Sequence, residues 1–266
     1  MSWGWIIFLV FLIFFVFIPI VKNKIIQYKR VKMMKNIEEE QNSRVITLIH
    51  RQEILSLIGI PFTRFINIED SEEVLRAIRR TPDEKPIDFI LHTPGGLVLA
   101  SEQIAMAVKN HPSQVRVIVP HYAMSGGTLI ALAADKIIMD QNAVLGPVDP
   151  QISGFPAASI QNVIDQKNIN DVEDETLLKG DVARKAVIQL ENFLKRILRD
   201  KFEPEEIERI IINLSSGKFT HDFPLTCEVL QELNIDHHTD LPDDIYELME
   251  LYPQPGKGRP SVYYVR

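Results

Sequence analysis

Twice in this chain an apolar, β-branched run stops at a pair of glycines, and a helical pattern begins at once. Ile87-Asp-Phe-Ile-Leu-His92 runs into Thr93-Pro94-Gly95-Gly96 and then into a helical stretch over 98–109. Val115-Arg-Val-Ile-Val119 leads through His121-Tyr122-Ala123-Met124 to Ser125-Gly126-Gly127, and a helical pattern follows as far as Ala134. A strand-like run at 44–50 precedes these units and another at 136–139 follows them. Strands alternating with helices at this spacing predict an α/β domain with a largely parallel sheet. Both glycine elements then fall at strand C-termini, where the active sites of open α/β sheets collect. Before them, Ser71 is expected to cap a helix running through Val74-Leu75-Arg76-Ala77-Ile78.

The N-terminus is of a different kind. From Ser2 to Val21 the chain is apolar or aromatic almost throughout and carries no charge. About twenty residues at 1.5 Å each cross a hydrocarbon core of roughly 30 Å. A cleaved signal peptide would want a basic start, a shorter apolar stretch and small residues at the cut. Here the basic residues come afterwards, as Lys22, Lys24, Lys29, Arg30, Lys32 and Lys35. By the positive-inside rule this places the remainder of the chain in the cytoplasm and the short N-terminus outside. The expected organisation is a single-pass transmembrane anchor at 1–21, a juxtamembrane linker at 22–43, a folded domain at 44–240 and an extended tail at 241–266. Between 151 and 175 the pattern suggests loop and irregular helix. From Asp181 to about Lys201 it predicts an amphipathic helix, with Val182, Ala186, Leu190, Phe193, Leu194 and Ile197 on one face.

Composition excludes several classes. With 266 residues, 45% hydrophobic and 24% charged, neither disorder nor a fibrous repeat fits. A net charge of −7 leaves no basic excess to neutralise phosphates, so nucleic acid is not an expected partner. Cys227 is the single cysteine, so an intrachain disulfide is impossible, and its Leu225-Thr226-Cys227 setting reads as a helix start.

The chemistry lies in the glycine elements. In Thr93-Pro94-Gly95-Gly96 the glycines allow close backbone approach to a ligand. Ser125 opens a helix, so its hydroxyl sits at the positive end of the helix dipole, and the next N–H can point at the same spot. One amide from each element, Gly96 and Gly126, would make an oxyanion hole, worth about 3–4 kcal/mol per donor. Singly, each element can be read as turn and cap residues alone. Their order and their separation of about thirty residues make the pair specific.

His92-Thr-Pro-Gly-Gly96, Ala123-Met-Ser-Gly-Gly-Thr128, Ala133-Ala-Asp-Lys-Ile137, Leu145-Gly-Pro-Val-Asp149 and Gly217-Lys-Phe-Thr-His-Asp-Phe-Pro-Leu-Thr226 together resemble the serine dehydrogenase proteinases. These are Clp/crotonase-fold serine peptidases related to signal peptide peptidase A. The resemblance covers roughly 44–238. It implies a Clp/crotonase-like fold and a homo-oligomer, and neither a cofactor nor a metal is expected. It implies too that Ser125 attacks a peptide or membrane-protein carbonyl while Gly96 and Gly126 hold the oxyanion. Clp-type peptidases place a histidine some twenty-five residues after the serine, but no histidine occurs here between Tyr122 and Thr220. The signal peptide peptidase relatives use a lysine forty to sixty residues downstream, which points to Lys185, with Lys179 as the alternative. Either lysine would have to be desolvated to act as a neutral base.

Other readings stay open at this point. His121 lies four residues before Ser125, and a Ser125–His221–Asp222 triad is allowed because triads are defined by geometry, not order. His221-Asp222 and His237-His238 match no usual zinc spacing. A crotonase-like acyl-CoA enzyme would use the same two amides with a carboxylate instead of the serine. A non-catalytic membrane scaffold would keep the fold alone.

Overall fold

The computed structural model describes residues 3–12, 14, 17–55 and 60–252. The chain begins with α1 (Trp3–Leu12) and α2 (Ile18–Gln41), followed by β1 (Arg44–Ile49). An antiparallel pair, β2 (Gln52–Leu55) and β3 (Ile60–Thr63), leads to α3 (Ile68–Arg79). Then come β4 (Ile87–His92), α4 (Val98–Lys109), β5 (Val115–Val119), β6 (Tyr122–Ala123), α5 (Gly126–Ala133) and β7 (Lys136–Met139). Short strands β8 (Val144–Leu145), β9 (Gln151–Ile152) and β10 (Phe155–Pro156) precede α6 (Ala157–Asp165) and the long α7 (Asp174–Leu198). The chain continues with α8 (Pro204–Ser215), α9 (Cys227–Glu232) and α10 (Asp243–Glu250).

The expected parallel sheet is present, in the order β1-β4-β5-β7 with every pairing parallel. The inner strand β4 is buried over its whole length, which is why its sequence is apolar on both faces apart from Asp88 and His92. Ile87, Phe89 and Leu91 face one layer, packed with Ile104 of α4, Leu129 of α5, Leu194 of α7 and Ile210 of α8. Ile90 faces the other, against Ile37 of α2 and Ile245, Leu248 and Met249 of α10. The fold is therefore a three-layer α/β arrangement.

Asp88 faces the second layer and is 1% exposed. Its carboxylate accepts from Arg116 Nε and Nη2 at 2.6 and 2.7 Å and from Ser43 Oγ at 2.5 Å. This pairing ties the start of β1 to β4 and β5.

Several boundaries differ from the sequence expectation. Asn67, not Ser71, caps α3: its side chain accepts from the Asp70 N–H, and the Asp70 carboxylate accepts from the Asn67 N–H. That reciprocal box satisfies two orphan amides at once, and the buried Ser71 hydroxyl turns back to Ile68 O instead. α7 starts seven residues ahead of Asp181, at Asp174. In its first half Ala183 faces inward against α6, while Val182 is exposed. Residues 157–165 form a regular helix rather than irregular structure.

The segment 22–43 is not a free linker. α2 runs unbroken across the expected boundary, Ile37 is buried, and Arg30 donates to Leu251 O at 2.8 and 2.6 Å with its guanidinium 3.8 Å above the Tyr252 ring. The tail is not extended over 243–250. Pro242 leads into α10, whose first turn carries Asp243 and Asp244 and whose Ile245, Leu248 and Met249 share one face. The rest of the tail, from Pro253, lies outside the described residues. Among the described residues no helix is long and apolar enough to cross a membrane.

Asp88→Ala should destabilise the protein by about 3 kcal/mol, because it strands the Arg116 guanidinium against an apolar layer. Urea unfolding of the variant checks this, and a change below about 1 kcal/mol would show that Arg116 escapes to water.

Candidate active site

Ser125 sits in a turn that closes when the Gly127 N–H donates to Met124 O at 2.8 Å. Its φ of 50° and ψ of −113° are those of the first central residue of a type II′ turn, a place normally taken by glycine. A serine held there costs about 1–3 kcal/mol. Such a strained strand-to-helix turn presents a side chain at the sheet edge, ahead of the first turn of α5. The turn is fastened from behind. Thr128 Oγ1 lies 2.9 Å from Ala123 O and 2.8 Å from Gly146 O, and it accepts from the Gly146 N–H at 3.0 Å.

The other glycine element comes up against this turn. Gly95 has φ +100°, and a Cβ on it would lie 2.9 Å from Ser125 Cβ, so no other residue fits. Gly96 is pressed onto the main chain of Ile66 and has no room for a side chain either. Their bridge runs through the neighbouring groups, with Ile66 N–H donating to Gly95 O at 2.7 Å and Leu97 N–H to Ile66 O at 2.8 Å. A trans peptide points its N–H opposite its carbonyl, so the Gly96 N–H faces away from Ile66. On that side lies Gly126: a Cβ built there would be 3.7 Å from Gly96 N. Gly126 is the first residue of α5, so its own N–H has no partner within the helix.

Gly96, Ser125 and Gly126 line one cleft of about 560 Å³. Its walls are largely apolar, from Val98 and Leu99 of α4 to Leu190 and Phe193 of α7. Two carboxylates also line it, Glu102 and Asp149. Burial pushes the Glu102 carboxyl up, against an opposing pull from Arg196. Asp149 is 2% exposed, and its Oδ1 lies 2.6 Å from His221 Nδ1. The Asp149 hydrogen bond raises the His221 pKa above the ordinary imidazole value, with burial working the other way. His221 is 40% exposed and stands at the edge of the cleft, where Gln151 Nε2 is 3.4 Å from the same ring nitrogen.

A strained serine, two neighbouring glycines and a buried carboxylate line one cleft, and the carboxylate holds an imidazole. The sequence model for ClpP-like SDH-type serine proteinases matches residues 1–266. The chain belongs to this family. Two uncharacterized proteins of Methanocaldococcus jannaschii are similar to it. One is 53% identical over 93% of this chain and 86% of its own length, the other 56% identical over 89% and 81%. Among solved structures, ClpP1 from Listeria monocytogenes gives a TM-score of 0.49 at 14% identity, covering 79% of this chain and 98% of that one. Its N165D mutant gives 0.45 at 16% identity, covering 79% and 99%.

The expected lysines are elsewhere. Lys185 is 67% exposed and pairs with Asp181 at 2.5 Å, and Lys179 pairs with Glu175 at 2.6 Å. Neither lines the cleft, although Ala186 and Gln189 of the same helix do. One residue of rotation on a helix is about 100°, which separates Lys185 from the face that Ala186 presents. Each amine is engaged by a carboxylate of its own helix and not by the cleft that holds Ser125. His221 pairs with Asp149 rather than with Asp222. His121 packs edge-on to His92, with ring centroids 5.4 Å apart, and does not line the cleft. His237 bonds Ile235 O, and the main chain of His238 bridges to Ile138. Among the described residues no cluster of three His, Cys, Asp or Glu is placed to hold a metal.

The pairing of Asp149 with His221 went unread in the sequence. One signal was available: Asp149 ends the Leu145–Asp149 motif and stands 24 residues after Ser125, close to the spacing at which Clp-type peptidases carry their histidine.

Because the serine backbone is strained, Ser125→Gly should be more stable than Ser125→Ala by about 1 kcal/mol, since only glycine relaxes a positive φ. Paired denaturation curves test this, and equal midpoints would mean the turn carries no strain.

Proposed function

We propose that this protein is a membrane-anchored serine peptidase that acts through an acyl-enzyme on Ser125, with His221 as general base and Asp149 holding the imidazole. The observation that carries it is the strained Ser125 hydroxyl in the same cleft as the Gly96 and Gly126 amides and the Asp149 carboxylate that binds His221. Asp149 accepts from Nδ1–H, which leaves Nε2 as the basic nitrogen. His221 does not line the cleft with Ser125 in the free chain, so the proposal includes its closing onto the serine when substrate is bound. Ser125 Oγ attacks the peptide carbonyl and its proton passes to His221 Nε2. The Gly96 and Gly126 N–H groups hold the oxyanion. The intermediate collapses as His221 returns the proton to the leaving amine. Water then attacks the acyl carbon as His221 takes its proton, and His221 returns that proton to Ser125 Oγ as the acyl–oxygen bond breaks and the acid leaves.

One observation favours a second reading. Glu102, with its carboxyl pushed up by burial, is the acid a crotonase-like enolate chemistry would use in this cleft. Only an activated serine is acylated by a fluorophosphonate, so labelling separates the two.

Ser125→Ala and His221→Ala should each lose at least about 10³-fold in peptidase rate, and Asp149→Asn about as much. Lys185→Ala and Lys179→Ala should stay within about twofold. Since Asp149 raises the His221 pKa and the base must be neutral, activity should fall on the acid side through a limb above the usual imidazole value. In residual Asp149→Asn activity that limb should move to lower pH. An active His221→Ala beside an inactive Lys185→Ala would return the base to the lysine.

The membrane anchor rests on the uncharged segment 2–21 and on the exposure of Trp3, Trp5, Phe8, Phe11 and Phe14, followed by a basic flank. The flank supports a cytoplasmic catalytic domain. A homo-oligomer is supported by exposed apolar side chains at Leu97, Val98 and Leu99 and along α7 at Leu178, Val182 and Ile188. The full chain should stay in the membrane pellet through a carbonate wash and sediment in detergent above its 30.5 kDa monomer mass. A chain lacking residues 1–21 should leave the pellet. Soluble full-length chain, or a monomer in detergent, would reject the corresponding half of this reading.

A further inference from the structure

Behind the Gly95–Gly96 loop, on the side away from the cleft, three polar side chains from separate elements form a line. Asp70 from the first turn of α3 lies 3.3 Å from His50 Nε2. His50, at the end of β1, has its Nδ1 2.9 Å from Thr93 Oγ1, which follows β4. The Thr93 hydroxyl in turn accepts from the Gly95 N–H at 3.2 Å. His50 is 5% exposed and Thr93 is fully buried. The array has the donor order of an Asp–His–hydroxyl triad, yet its hydroxyl is sealed from any substrate and cannot be a nucleophile.

Donor and acceptor counting gives the direction of each bond. A carboxylate only accepts, so a neutral His50 carries its proton on Nε2 toward Asp70. Nδ1 is then an acceptor for the Thr93 O–H at 2.9 Å, a shorter contact than the 3.3 Å from the same hydroxyl to Gly95 O. With its proton committed, Thr93 Oγ1 presents lone pairs to the Gly95 N–H. The peptide before Gly95 is thereby fixed by Thr93, and the peptide after it is fixed by Ile66 N–H on Gly95 O at 2.7 Å. Between the two stands a residue at φ +100° with no side chain to hold it. Rotation there would turn the Gly96 N–H out of the cleft. The Thr93 methyl also supports the neighbouring wall, since a Cβ on Gly127 would lie 2.7 Å from Thr93 Cγ2.

We infer that Asp70, His50 and Thr93 are positioning residues that aim the Gly96 N–H at the oxyanion of the Ser125 reaction. This rests on the serine-peptidase reading above. It requires the array to act on the rate of acylation and to leave ligand binding nearly untouched. It also requires His50 to act through Thr93.

The test is the rate of fluorophosphonate labelling of full-length protein in detergent, resolved into the limiting rate and the half-saturating concentration. Thr93→Val keeps the shape and the methyl but removes the hydroxyl. Its limiting rate should fall about 10- to 100-fold, as for an oxyanion donor displaced by a fraction of an ångström. Half-saturation should stay within about twofold. Thr93→Ser should recover most of the rate. His50→Leu should resemble Thr93→Val, and the double variant should be no slower than either single one, because both remove the same link. Independent losses that multiply, or a loss seen only in half-saturation, would overturn the positioning role. Labelling of Thr93→Val at the wild-type rate would overturn it while leaving the peptidase reading intact. A wild-type protein that is not labelled at all would overturn both. If Thr93→Val does not fold, His50→Leu alone decides by the same two numbers.

Discussion

The Gly95–Gly96 main chain passes between Ile66 and the Ser125 turn with no space for a side chain on either glycine. That steric constraint organises the site. It brings the amide at the end of one strand beside the amide at the start of α5, and it can do so only where glycine stands at both positions. The partner constraint is the positive φ of Ser125, which lifts its side chain out of the α5 axis at the cost of local strain. Thr128, bound to Ala123 and Gly146, and Thr93, bound to Gly95, hold the two loops so that neither relaxes. The two glycine loops are therefore held by hydroxyls set into a buried frame, with the parallel sheet as its base.

The charges are arranged by burial. Asp149 is almost wholly enclosed and His221 only partly, so the pair joins a protected carboxylate to an imidazole that reaches solvent. The two candidate lysines of α7 lie away from the cleft, Lys185 exposed and Lys179 half-buried, each paired with a carboxylate four residues earlier on the same helix. Residue spacing along α7 alone could not separate the two cases, because a lysine adjacent in sequence to a cleft-lining residue faces a different direction.

On the other face of the sheet, α2 and α10 clasp each other through Arg30, Leu251 and Tyr252. This joins the segment after the apolar N-terminus to the same layer that buries Ile90 and Ile118. An anchor leading into such a helix would hold the domain at a set distance from a membrane, where a loose linker would let it wander.

The sequence by itself determined the parallel sheet, the helices between its strands, and the approach of Gly96, Ser125 and Gly126 to one cleft. Those features are written locally: runs of β-branched residues specify strands, and glycines mark the places where the backbone must do what other residues resist. Tertiary structure alone decided the rest. Asp149 and His221 are 72 residues apart, and only the packing of the segment after α8 against the sheet edge brings them to 2.6 Å. The inward face of α7 at Ala183 and the helix at 243–250 were likewise settled by neighbours. A side chain's partner depends on which distant segment is folded against it, and residue spacing carries no record of that.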